Sequence, residues 1–161
     1  MLKKPVVFLI LLLIISCDSG SVFSAYEPLG NKWEGHTPVE FTFQAPDTIQ
    51  PYHLFINVRN DEKYPFSNLF LIVNMDFPNG NTVTDTLEYQ MTKPDGSWLG
   101  EGFTSLKENK LWFKENVIFP VSGDYEIRIE HAMRINGKVD GVKILEGIKD
   151  VGIKIEKAVK Q

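Results

Sequence analysis

The residue whose neighbours prescribe a covalent chemistry is Cys17, the single cysteine of the chain. It closes the stretch Ile14-Ile15-Ser16-Cys17, in which two aliphatic residues and a small residue precede a thiol, the form of a bacterial lipobox. A small residue before the cut fits the narrow pocket of a signal peptidase. The thiol is a soft nucleophile that accepts a diacylglycerol as a thioether, and cleavage between Ser16 and Cys17 exposes an amine that takes a further acyl chain. Each buried methylene contributes about 0.8 kcal/mol, so two or three such chains hold a protein on a membrane for practical purposes permanently. Upstream, Lys3-Lys4 and the apolar run Val6 to Ile15 have the layout of a secretory signal. Ten helical residues span about 15 Å, half a bilayer core, too short to remain as a stable span. The reading is a signal peptide over residues 1–16, a lipidated tether over 17–30 and a folded domain over 31–161.

No second reactive centre stands out. His36, His53 and His131 are scattered, form none of the HxH, HxxxH or HExxH spacings of a metal site, and predict neither metal nor cofactor. GxSxG and the P-loop are absent, and the Gly100-Glu101-Gly102 triplet lacks the strand-to-helix setting that cradles phosphate. Acidic pairs such as Asp61-Glu62 fall in turns, where nothing singles one out as a general acid. The expectation is a protein that is not an enzyme. More informative are aromatics on connecting segments: Tyr64 and Phe66 in "NDEKYPFSN", Trp98 in "KPDGSWLGEGF" and Trp112 in "KLWFKENVIF". Aromatic side chains with polar tips on a rigid scaffold anchor a protein partner or stack on sugar rings, or else close the ends of a core.

The scaffold for these residues reads as β throughout. Val39, Phe41, Phe43 and Ala45 alternate with Glu40, Thr42 and Gln44. The same period of two runs through Tyr52-Leu54-Ile56-Val58, Leu69-Leu71-Val73-Met75-Phe77, Leu87-Tyr89-Met91, Tyr125-Ile127-Ile129-His131-Met133 and Val151-Ile153-Ile155. Phe70 and Ile72 make one run apolar on both faces, and His131 falls on an inward face as a core histidine. Turn signals separate the runs, among them Ala45-Pro46-Asp47, Pro78-Asn79-Gly80-Asn81, Pro94-Asp95-Gly96 and Asn136-Gly137. Seven or eight short strands so spaced predict a single antiparallel β-sandwich, with room for a first strand around Val22–Tyr26 inside the tether.

Removing the signal leaves 145 of the 161 residues, enough for one domain with its own core. The loss of two lysines takes the formal net charge from −4 to −6. A mildly acidic chain with no basic stripe is a poor ligand for nucleic acid. With one cysteine there is no intrachain disulfide, and the fold rests on packing.

The segments "VRNDEKYPFSNLFLIV", "DTLEYQMTKPDGSWLGEG" and "FPVSGDYEIRIEHAMRINGKVDGVKILEGIKDVGIKIEK", together with the lipobox, resemble the gliding motility lipoprotein GldH family of Bacteroidota over essentially the whole chain. The resemblance implies a membrane-anchored cell-envelope lipoprotein needed for gliding, a link to the secretion apparatus that delivers surface adhesins, and in some relatives a link to polysaccharide use. It supplies no catalytic residues, and Cys17 alone carries over with a chemical role. One aspartate, Asp18, follows the cysteine without an acidic cluster, which favours a periplasm-facing domain. The expected partners are the membrane, through acyl chains on Cys17, and other gliding or secretion proteins; the alternative is a glycan-binding envelope lipoprotein.

Overall fold

The computed structural model describes residues 20–158, so the signal segment and Cys17 lie outside the described residues. Ten strands follow in order: β1 (Ser21–Pro28), β2 (Lys32–Glu34), β3 (Val39–Gln44), β4 (Tyr52–Asn60), β5 (Asn68–Asp76), β6 (Thr82–Gln90), β7 (Lys107–Val117), β8 (Asp124–His131), β9 (Ile144–Glu146) and β10 (Ile148–Lys157). They build two four-stranded sheets, β1-β10-β4-β7 and β3-β8-β5-β6, and a small ribbon, β2-β9. Every neighbouring pair is antiparallel. The predicted all-β sandwich is the observed architecture.

Alternation decides which side chains meet between the sheets. In β3 the pattern is strictly buried-exposed, with Val39, Phe41 and Phe43 inside and Glu40, Thr42 and Gln44 outside. Leu54, Ile56 and Val58 of β4 meet Leu69, Leu71 and Val73 of β5, Ile127 and Ile129 of β8, and Val151, Ile153 and Ile155 of β10 in one fully buried cluster. Each such side chain contributes about 1.5–3 kcal/mol relative to exposure, and in a chain without a disulfide this cluster is the main stabilising force. Leu87 and Tyr89 of β6 are only half-buried, because β6 is an edge strand whose first residues face solvent.

The flanks of the sandwich are braced from sheet to sheet. On one side Phe23 of β1 lies 5.4 Å from Phe43 of β3. On the other the Tyr89 hydroxyl donates to the Trp112 carbonyl at 2.6 Å, and Lys114 of β7 pairs with Asp85 of β6 at 2.8 Å.

Three departures from the sequence reading have plain causes. β1 pairs with β10 from Ser21 to Pro28, so the first strand, expected around Val22–Tyr26, extends three residues further in total, because both of its ends find partners on β10. β7 escapes the period-two reading because, as an edge strand, it alternates charged residues with only Asn109 and Phe113 fully inside; such charge protects an edge from pairing with other chains. β2 and β9 are three residues each, too short for a period to show, yet they bury Trp33 and Leu145.

The strand directions give the sandwich two distinct ends. At one, β1 begins, β10 finishes, and the 45–51, 77–81 and 118–123 connections turn back; the amide of Lys157 donates to the Gly20 carbonyl there at 3.0 Å. At the other lie the 61–67 and 91–106 connections and the β2-β9 ribbon. The nine residues of β4 separate the ends by about 27–30 Å.

Candidate functional site

Tyr64, Phe66 and Trp98 come from two separate connections and meet at the end of the sandwich away from the N-terminus. Tyr64 lies 5.9 Å from Phe66 and 6.3 Å from Trp98, ring centre to ring centre. The 61–67 connection is shaped by Asp61, whose carboxylate accepts from the Lys63 amide at 2.9 Å and whose carbonyl accepts from the Tyr64 amide at 3.2 Å. The Tyr64 hydroxyl then donates to the Asn68 carbonyl at 2.7 Å. Gly147, at φ +84°, packs directly on this turn, and a Cβ there would stand 2.2 Å from the Tyr64 nitrogen.

Trp98 is placed by a second, equally tight turn. Gly96 donates to the Lys93 carbonyl at 2.9 Å, and the Asp95 carboxylate accepts from the hydroxyl and amide of Ser97 at 2.6 and 2.9 Å. Those bonds, the hydroxyl first, hold the Asp95 carboxyl below its ordinary pKa. The Leu99 amide returns to the Met91 carbonyl at 2.9 Å and pins Trp98 over the end of the core.

Burial divides the candidates. Tyr64 is 3% exposed, so it does not reach a partner; it serves as the base on which Phe66 and Trp98, both half-buried, rest. Burial raises its phenol pKa, so it stays neutral. Beside Phe66 runs a groove of about 850 Å³ whose walls include Phe70, Ile72, Met133, Ile135 and Lys138. Ile135 and Val139 stand 47% and 87% exposed on the connection after β8. The sequence reading passed over these two because they flank an Asn-Gly turn, where apolar residues carry no periodic signal; their presence in a turn was the available clue.

Trp112 sits elsewhere, on the outer face of the β1-β10-β4-β7 sheet and 49% exposed. It tilts 50° over Phe55 at 4.4 Å and meets His53 edge-on at 5.1 Å. Tyr64, Trp98 and Trp112 therefore share neither a face nor a plane. Further along the same face the Tyr26 hydroxyl donates to Glu108 at 2.5 Å and accepts from Asn57 at 2.6 Å. Arg59 pairs with Glu108 at 3.3 Å and covers the Tyr26 ring at 4.3 Å. Gly152 lets that ring lie on the sheet, since a Cβ there would come within 2.7 Å of it. Lys110 pairs with Glu156 at 2.7 Å, and Lys154 with the same carboxylate at 3.0 Å. Desolvation pushes Glu156 up, but the two lysine bonds outweigh it and hold the group below its usual range.

His131 is buried, as its inward position predicted. Its Nε2–H donates to the Trp33 carbonyl at 3.2 Å, and the Trp33 ring lies edge-on 5.3 Å away. Burial lowers its pKa against the opposing effect of the carbonyl, and its ring lines a small pocket of about 170 Å³ beside Gly35, His36 and Val142. Among the described residues no three of His, Cys, Asp or Glu converge as metal ligands.

Residues 21–155 match the family model of the GldH lipoprotein. The chain belongs to the GldH lipoprotein family. It is 51% identical over 148 residues to the gliding motility lipoprotein GldH homolog of Christiangramia forsetii, covering 92% of this chain and 91% of the relative. It is 46% identical over 154 residues to the gliding motility lipoprotein GldH of Flavobacterium johnsoniae, covering 96% of each. A GldH lipoprotein is anchored to a membrane of the cell envelope, and the family carries the name of a lipoprotein rather than of an enzyme. Among solved structures, the VP2 subviral particle of infectious bursal disease virus gives a TM-score of 0.41 at 13% identity, with 88% of this chain covered. The chain spans 34% of that viral protein, and at this TM-score the likeness carries no argument.

Proposed function

We propose that this GldH protein is a non-catalytic, periplasm-facing recognition domain of the gliding and secretion machinery, held on the membrane by acyl chains on Cys17 after removal of residues 1–16. The observation that carries the reading is the aromatic platform: a buried tyrosine braces Phe66 and Trp98 at the end of the sandwich opposite the N-terminus. Half-buried aromatics on a rigid base bring contact area at little cost in side-chain entropy, the composition of interface hot spots. Confinement to a membrane surface raises the effective concentration of the domain towards membrane-bound partners.

The test keeps Tyr64 in place. In Phe66→Ala/Trp98→Ala, partner proteins that crosslink to and co-purify with the wild-type lipoprotein are expected to be lost, while the purified domain still unfolds in one cooperative thermal transition at a lower Tm. Unaltered co-purification removes the platform from consideration. Glycan binding draws support only from the exposed Trp112 ring, and quenching of tryptophan fluorescence by envelope polysaccharide that disappears in Trp112→Ala is the result that would favour it.

A further inference from the structure

We propose that the end of the sandwich from which the N-terminus emerges is itself a membrane-contact surface, with Ile49 and Ile118 seated in the interfacial layer of a lipid bilayer and the strands standing upright on it. The proposal rests on acylation at Cys17 and adds where the domain, beyond its tether, meets lipid. Three observations point there independently of one another.

The first is the length of the tether. Gly20 is tied to the sheet by the Lys157 amide, and only Asp18 and Ser19 separate it from Cys17. Three extended residues reach about 10 Å. The thioether at Cys17 therefore lies within that distance of the sheet corner formed by Gly20, Lys157 and Tyr52.

The second is the apolar character of that corner. Ile49 is 80% exposed and Ile118 is 51% exposed. Ile49 precedes Tyr52 by three residues, and Ile118 follows Val117, the partner of Tyr52 across β4 and β7. Val22, 37% exposed, belongs to the first residues of β1 at the same end.

The third is that both isoleucines stand on braced connections. Asp47 accepts from the amides of Ile49 and Gln50 at 2.8 and 2.6 Å and from the Tyr52 hydroxyl. The Tyr125 hydroxyl donates to the Val121 carbonyl at 2.9 Å, and Phe119 packs 5.0 Å from the Tyr125 ring, which leaves Ile118 facing outward. Two rigidly presented aliphatic side chains about one short tether away from an acyl anchor fit a lipid surface.

Charges set the depth. Asp124 and Lys157 are exposed and Asp47 half-buried at this end, so contact stops at the headgroup boundary and needs no anionic lipid. The sheet faces are the alternative resting surfaces. The outer face of β1-β10-β4-β7 carries Arg59, Glu108, Lys110, Lys154 and Glu156, whose burial against lipid is unfavourable. An upright domain holds Phe66 and Trp98 about 27–30 Å above the membrane.

The test uses the acylated protein in vesicles of phosphatidylethanolamine and phosphatidylcholine. A thioether-blocked Cys17 does not react with thiol probes, so a polarity-sensitive fluorophore goes singly onto Ile49→Cys, Ile118→Cys, Asn136→Cys or Thr86→Cys, all exposed positions. The expected result is blue-shifted emission at 49 and 118 that is quenched several-fold by nitroxide-labelled lipid, with neither effect at 136 or 86. Water-like, unquenched emission at 49 and 118 in protein whose N-terminal peptide carries acyl groups overturns the proposal and leaves the anchored reading standing. Quenching at 86 instead shows a domain lying on the outer face of the β3-β8-β5-β6 sheet and also overturns it. An N-terminal peptide without acyl groups overturns the proposal together with the reading on which it rests.

Discussion

Gly147→Ala isolates how the aromatic platform is held. Gly147 sits at φ +84°, and an added Cβ would stand 2.2 Å from the Tyr64 nitrogen, 2.5 Å from its Cα and 2.8 Å from the Lys63 carbonyl carbon. All three are backbone atoms, so no rotamer change relieves the contact and the whole 61–64 turn must move. That turn also donates the Asp61 amide to the Gly147 carbonyl at 2.9 Å. The left-handed backbone alone costs alanine about 1 kcal/mol. Displacing a packed turn adds about 1–3 kcal/mol. Gly137 supplies the control, since its φ is +80° but a Cβ there meets nothing within 4 Å. At about 2–4 °C per kcal/mol for a domain of this size, the combined cost of about 2–4 kcal/mol should lower the Tm of Gly147→Ala by about 4–16 °C, against about 2–4 °C for Gly137→Ala. The fluorescence of Trp98, 6.3 Å from Tyr64, should change in the first variant only. Equal losses in thermal unfolding, or unchanged Trp98 emission in Gly147→Ala, would refute the claim that this glycine seats the platform.

Four further outcomes follow from the same geometry. Trp33→Ala removes a side chain only 1% exposed together with its bond to the Thr37 carbonyl, and should cost about 3–5 kcal/mol in urea unfolding. Asp47 has its carboxyl lowered from 3.8 by the Gln50 amide, the Tyr52 hydroxyl and the Ile49 amide, so its contribution is full above pH 3.8 and lost as pH falls further; Asp47→Asn should flatten that acid limb. Tyr52 is raised from 10.0 to about 12, by desolvation first and then by Asp47, so its contribution is full below pH 10 and lost as pH rises towards 12. In Tyr52→Phe the alkaline decline measured between pH 10 and 12 should shrink, leaving the shares of Tyr26, Tyr64 and Tyr89, whose phenols burial also raises. His131, lowered from 6.5 by burial, stabilises the fold above pH 6.5 and less as pH falls below it, a dependence that His131→Gln should remove from a stability–pH series.

What the sequence disclosed tracks what local chemistry controls. The period of two named the inward residues of β3, β4, β5, β8 and β10, because a strand between two layers must alternate and any slip of one residue would turn Leu71 and Val73 to solvent. It failed for β7, where edge charge hides the pattern, and for β2 and β9, where three residues hold no period. The aromatics Tyr64, Phe66 and Trp98 were legible individually as loop residues, but their meeting was not. It depends on Gly147, more than eighty positions after Tyr64 in sequence, and on the turn that packs against it. The sequence left Tyr64 open between a partner anchor and a closure of the core end, and the bond to the Asn68 carbonyl with 3% exposure decides for closure.

The most direct test of the account is the intact mass and N-terminal peptide of the protein purified from its native membranes. A chain beginning at Cys17 with a thioether-linked diacylglycerol and a further acyl group on its amine, released to the soluble fraction in Cys17→Ser, is the predicted result. A mature chain beginning at another residue, or an unmodified Cys17 in membrane-bound protein, would contradict it.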